Sequence, residues 1–224
     1  MTTILLGLGL LLTRTSLDGP VGARDAGISR WFFQERTPML DEFTEWGSRF
    51  GDTPTVIAIA AIVVVLLAIG HHVAQLAFLI CALVIEITTF LTTTFLIDRE
   101  RPAVPQLDDA PATSSFPSGH VAASLILYLG IALITTSLVR SNVVRAFVWT
   151  VAILLPIAVA LSRLYRGMHH TTDIVGSIIL AAGCIAVSLL ATRIGVAIAD
   201  RNKDTDVRQV EPSRTEAPDL QVTP

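Results

Sequence analysis

This sequence holds a single lysine, Lys203, among its 224 residues, and no run of arginines stands in as a track for a phosphate backbone. Acidic residues outnumber basic ones, 19 to 16, for a formal net charge of -3. Nucleic acid is therefore not an expected partner. Cysteine is equally scarce. Cys81 and Cys184 each fall inside an apolar run, where a thiol behaves as a small hydrophobe, so neither a disulfide framework nor a CxxC metal site is available. Charged residues make up 16% of the chain against 52% hydrophobic, a balance that excludes an ordinary water-soluble domain and points to the bilayer.

What the chain does have is long apolar stretches. About 20 mostly apolar residues are needed for a helix to cross roughly 30 Å of hydrocarbon. Such stretches run from about Thr55 to Gly70, Val73 to Ile97, Val121 to Val139, Val143 to Leu161 and Ile174 to Ile194. The expected fold is all-α, a polytopic transmembrane helix bundle of about five clear spans in one membrane-embedded domain over residues 1–199. The run from Ile4 to Leu12 would reach only about 14 Å as a helix. It is either a short or truncated first span or an interfacial segment; with no basic residue before it and no small-x-small site after it, it does not read as a cleaved signal peptide.

Between that run and the first clear span, Trp31, Phe32, Phe33 and Trp46 interleave with Arg30, Glu35, Arg36 and Glu42. Helical spacing of aromatic and charged residues over Asp25 to Asp52 suits a helix in the headgroup layer, with an ordinary polar loop as the alternative. Residues 200–224 are charged, contain proline and have too little apolar content to fold alone, so a disordered tail is expected.

Three polar clusters flank the spans. The first is Arg101-Pro102, the second Pro117-Ser118-Gly119-His120, and the third runs from Ser162 and Arg163 through His169 to Asp173. Arg101 and His120 share one loop, and Arg163 and His169 share another two crossings later, so both loops emerge on the same face and can build one site. His169 and Asp173, four residues apart, would stack on one face of a helix, where the carboxylate accepts the Nδ1 proton and leaves Nε2 as a nucleophile. His120 is placed to protonate a leaving oxygen. Arg101 and Arg163 offer planar forks for phosphate, and the Ser118 hydroxyl with the Gly119 amide adds uncharged donors at a helix N-terminus.

Together these residues resemble the signature of the type 2 phosphatidic acid phosphatases, KxxxxxxRP, PSGH and SRxxxxxHxxxD, which that family shares with vanadium haloperoxidases and bacterial acid phosphatases. The second and third parts are complete here, while the lysine of the first is replaced by Thr94. The resemblance implies a six-helix core in the membrane members and hydrolysis of a lipid phosphate or diphosphate without metal or other cofactor. It also implies His169 as nucleophile, Asp173 as its orienting partner, His120 as general acid, and Arg101, Ser118, Gly119 and Arg163 as the phosphate cradle. The expected partners are a lipid phosphate substrate and membrane lipids. Candidate substrates are polyprenyl diphosphate, phosphatidylglycerol phosphate and phosphatidic acid. A lipid phosphotransferase using the same intermediate, and a non-catalytic anion-binding or transport protein, are the alternative readings.

The missing lysine leaves one cation fewer, and two arginines could supply it. Arg166, three residues from both Arg163 and His169 in a helical turn, is favoured to reach the phosphate, and Arg99 is expected only to meet headgroups. Asp108 and Asp109 are read as solvated loop carboxylates rather than metal ligands. Glu86, inside an apolar run, is expected to hydrogen-bond Thr88 or Thr89 in protonated form. With the cluster arginines set aside, basic residues on the far face outnumber those on the site face seven to five. This weakly favours a cell-membrane protein with its site extracytoplasmic and its tail cytoplasmic.

Overall fold

Proline and glycine divide the apolar sequence into helices. In the computed structural model, which describes residues 3, 6, 7, 9–11, 19–110 and 113–210, the chain forms α1 (Pro20–Gln34), α2 (Pro38–Arg49), α3 (Thr53–Ile69), α4 (Val73–Leu96), α5 (Gly119–Leu138), α6 (Asn142–Tyr165) and α7 (Thr171–Val210). Pro20, Pro38 and Pro54 each stand in the first turn of a helix, where a missing N–H costs nothing. Thr37 caps α2, its side chain accepting from the Leu40 N–H at 3.3 Å.

α4, α5, α6 and the Thr171–Ala199 part of α7 are each long and apolar enough to cross a membrane. The expected first span is shorter. α3 falls below that length alone and reaches it only together with α2, to which it is joined at an angle of 40°. The Asp25–Asp52 segment, expected as an interfacial helix or a loop, is instead two helices broken at Glu35–Thr37, because a residue preceding proline avoids the α region and Pro38 cannot donate into the preceding turn. Most of its aromatics are nonetheless exposed, Phe43 at 77% and Trp46 at 58%, while Phe32 is half-buried against Tyr165.

α5 is the centre of the bundle, packed against α6 on one side and α7 on another, with α4 beside both α5 and α7. Small residues let these helices approach: Ala82, Ala122, Ala132, Ala152 and Ala181 are all buried. Outward faces carry large apolar side chains such as Phe95, Val143 and Phe147, a pattern that suits lipid rather than water. Trp149 Nε1 donates across to Thr136 Oγ1 at 2.9 Å, a polar tie between α6 and α5.

At the N-terminus the described residues 3, 6, 7 and 9–11 are helical, and Leu6 packs on the core around Phe116, Ile126 and Leu180. The rest of the Ile4–Leu12 run lies outside the described residues, as do 211–224. The tail departs from expectation up to Val210, since α7 continues ten residues past Asp200. Propagating an existing helix avoids the cost of nucleation.

Candidate active site

Three connections meet at one end of the bundle: the break between α2 and α3, the loop between α4 and α5, and the turn between α6 and α7. That turn depends on Gly167, whose φ of 74° is left-handed and whose absent Cβ would stand 2.9 Å from Val104 Cγ2. The chain then passes through Met168 and His169, both buried. Arg101 Nη1 donates to the Met168 carbonyl at 2.8 Å, tying the first cluster to the third.

His169 precedes α7 rather than lying within it, and this alters its partner. Nδ1 is 2.7 Å from the Ser115 carbonyl oxygen. Because a carbonyl only accepts, Nδ1 bears the proton, and in the neutral ring Nε2 is the bare nitrogen. Asp173 was expected to take that proton, but its Oδ2 lies 3.6 Å from Nδ1. Asp173 is the third residue of α7, and Oδ2 turns back to accept the backbone N–H of His170 at 2.7 Å, as the acid of a capping box does. Burial holds the His169 imidazole below its ordinary pKa, against the pull of Asp173, so the neutral nucleophilic form is favoured.

The other oxygen of Asp173 accepts from Arg99 Nη1. Arg99 therefore does not meet headgroups: it is buried, and Nη2 donates to Asp25 Oδ2 at 2.9 Å. Asp25 in turn accepts from the Thr172 backbone N–H at 3.3 Å and its hydroxyl at 2.5 Å. A chain of buried charges thus runs from α1 through Arg99 to the start of α7. The two carboxylates share one guanidinium, whose fork spans both.

His120 is the second residue of α5, and its Nε2 is 2.9 Å from Asp52 Oδ1, at the N-cap of α3. Arg163, in the last turn of α6, donates from Nη1 to Ser48 Oγ and to Asp108 Oδ2, each at 2.9 Å. Asp108 is thus not a solvated loop acid. Arg166 also grips it, from Nε at 2.8 Å and from Nη2 at 2.5 Å, and donates from Nη1 to the Asp41 carbonyl at 2.9 Å. Burial pushes the Asp108 carboxyl up, but the Arg166 hydrogen bonds and the Arg163 charge outweigh it and hold it below the usual carboxylate range. Asp109 is exposed.

The result is a cavity of about 1050 Å³. His169, His120, Arg163, Arg166, Asp52 and Asp108 line its polar end, with Gly119 at the floor. Gly119 packs on Phe90, where a Cβ would come 2.9 Å from Cζ. Arg101, Ser118, Asp173 and Arg99 lie behind that lining. Ser118 Oγ, Arg101 Nε and Arg163 Nε are buried without a hydrogen-bond partner. Such donors are suited to an anion's oxygens. Among the described residues no group of three or more His, Cys, Asp or Glu has the geometry to hold a metal.

Two further residues of α4 find their places. Thr94 is outside the cavity lining and its Oγ1 donates to the Phe90 carbonyl at 2.8 Å. Glu86 makes no bond to Thr88 or Thr89; the Thr88 hydroxyl donates to the Val84 carbonyl at 2.8 Å, and Glu86 borders the cavity. Sequence reasoning missed Asp52, Asp25, Ser48 and Ser115. Asp52 carried only the signature of a helix cap, and the others lay in no motif.

The sequence matches the model of the PAP2 superfamily over residues 73–194. No curated protein matches it. Among solved structures, the first transmembrane PAP2-type phosphatidylglycerolphosphate phosphatase from Bacillus subtilis superposes with a TM-score of 0.70 at 20% identity, covering 89% of this chain and 94% of that one. LpxE from Aquifex aeolicus superposes with a TM-score of 0.56 at 21% identity, covering 73% and 93%. At these identities the likeness establishes the fold.

Proposed function

This chain belongs to the PAP2 superfamily, and on that premise we propose that it is an integral membrane phosphatase that hydrolyses a lipid phosphate or diphosphate through a phosphohistidine on His169. The observation that carries the reading is the Nδ1 hydrogen bond to Ser115, which leaves Nε2 bare in a ring that borders a cavity shared with Arg163 and His120. In the first step Nε2 attacks phosphorus, an N–P bond forms and the bond to the lipid oxygen breaks. His120 donates a proton to that departing oxygen. With Nε2 of His120 facing Asp52, Nδ1 is the nitrogen left to serve it, and the Asp52 carboxylate stabilises the imidazolium.

In the second step His120 takes a proton from water, the water oxygen attacks phosphorus, and the N–P bond breaks to release phosphate and free His169. Arg163 and the Gly119 amide, which border the cavity, neutralise the equatorial oxygens of the five-coordinate phosphorus, and Arg101 and Ser118, set behind that lining, join them on a small shift toward the cavity. A phosphate entering beside Arg163 meets Asp108 already on that fork, so the carboxylate must share the arginine or turn aside. The apolar half of the cavity supports a lipid substrate. We assign the site to the extracytoplasmic face of the cell membrane and the tail after α7 to the cytoplasm, a reading supported by the seven-to-five excess of basic residues on the far face.

The test is phosphate release by purified protein from a panel of phosphatidic acid, phosphatidylglycerol phosphate and a polyprenyl diphosphate in mixed micelles. Release that persists in EDTA and is inhibited competitively by vanadate, a mimic of five-coordinate phosphorus, supports the proposal. Release only after magnesium is added, or none from any lipid by folded protein, contradicts it. An alcohol acceptor added to the same assay separates hydrolysis from phosphotransfer, since only the second converts it to a phosphate ester.

A further inference from the structure

Below its polar end the cavity continues between α3, α4 and α5, walled by Val56, Ala60, Leu83, Ile87 and Ala123. One wall residue does not belong there by polarity. Glu86 lines the same stretch, is 6% exposed, and its carboxyl has no hydrogen-bond or ion-pair partner among the described residues. A buried carboxyl at membrane depth is strongly disfavoured unless something satisfies it, and here the open side is the cavity.

The helices fix its depth. Phe90 packs on Gly119 at the floor of the polar end, and Glu86 lies one turn further along α4, about 6 Å deeper at 1.5 Å per residue. Ala123, one turn below Gly119 on α5, lines the cavity at that level. A lipid with its phosphorus against His169 places its next few bonds there. In an acyl glycerolipid those bonds carry ester oxygens. In an isoprenoid they carry only C–H.

We propose that Glu86 is a specificity-determining residue, whose carboxyl O–H donates to an ester carbonyl next to the phosphate-bearing carbon and so selects acyl glycerolipid phosphates over isoprenoid phosphates. The proposal rests on the reading of His169 and the arginines as the phosphate site. A site built around a polar group discriminates strongly against a ligand that leaves the group unpaired, more than an apolar wall discriminates by shape.

The experiment measures kcat/KM of the full chain in mixed micelles for dioleoyl phosphatidic acid, its dialkyl ether analogue without carbonyls, and farnesyl monophosphate. Wild type is compared with Glu86→Leu and Glu86→Gln. Wild type should favour the diester, and Glu86→Leu should lower that substrate about tenfold or more while leaving farnesyl phosphate within about twofold. Glu86→Gln, which keeps a donor and an acceptor, should retain most of the preference. The ether analogue should be poor in wild type and insensitive to Glu86→Leu.

A wild-type preference for farnesyl phosphate, or an equal fall on all three substrates, overturns the proposal. If Glu86→Leu does not fold, Glu86→Gln and the wild-type comparison of ester with ether decide the matter, and equal rates on ester and ether overturn it. Folded wild type that releases phosphate from none of the lipids defeats the phosphatase reading itself. Release from all of them with an unchanged ratio defeats only the role of Glu86.

Discussion

His169 and His120 border the same cavity but are held in opposite ways. His169 is buried, tied by Nδ1 to a backbone carbonyl, and backed by the Asp25–Arg99–Asp173 charge chain. The His120 side chain is 30% exposed, and its partner Asp52, 38% exposed, sits where α2 breaks to α3. An attacking atom gains most from being fixed, because a small misplacement costs much of the rate. A proton donor that serves first a lipid oxygen and then a water tolerates a looser hold. The contrast is what the proposed two-step reaction asks of its two histidines.

Removing the fixed side should cost most. His169→Ala is expected to lower kcat by about 10⁴-fold or more in protein that still folds, with only a modest fall in the thermal melt as the Ser115 carbonyl loses its partner. A loss under tenfold breaks the contrast. Next, Arg99→Ala strips the shared cation from two buried carboxylates and should cost roughly 3–5 kcal/mol in unfolding free energy, measured by denaturation in detergent. Arg99→Lys should recover only part of it, because an ammonium cannot span both carboxylates as a planar fork does.

The loose side should respond more gently and depend on the leaving group. His120→Ala is expected to lower kcat/KM about 10²-fold for an alkyl phosphate and clearly less for an aryl phosphate, whose leaving oxygen needs no proton. Asp52→Asn should follow the same pattern at about tenfold. Equal losses on both substrates would argue against proton donation. The smallest effect concerns pH. Burial lowers the His169 pKa, so the neutral ring persists to lower pH than in a free histidine. Activity limited by that ring should fall as pH drops through the folded value, placing the acid limb of kcat/KM below about 6.5. A limb at or above that value counts against His169 as the titrating nucleophile.

The spans and the clusters were legible in the sequence because hydropathy and motif spacing are local. Apolar runs of the right length gave α4 to α7, and parity placed the three clusters on one face. What the spacing could not give was the partner of each side chain. The four-residue step from His169 to Asp173 reads as a helical pair, but the helix starts between them, so the acid turns to a backbone N–H and to Arg99. Asp25 lies far from every motif and reaches the site only because α1 packs on α6 and α7. Arg166 was read as a phosphate ligand and Asp108 as a solvated loop acid, and the spacing did not show that Arg166, while lining the cavity, is held by Asp108. Charges find their partners through tertiary packing, which a pattern along the chain does not encode.

The central claim is that phosphorus passes through Nε2 of His169. It is tested most directly by quenching wild-type protein during turnover of a ³²P-labelled lipid phosphate and locating the label on the chain. The account predicts an acid-labile, base-stable phosphoenzyme, with the label on His169 and absent in His169→Ala. Label that persists in His169→Ala, or that maps to a serine or a carboxylate, would contradict it.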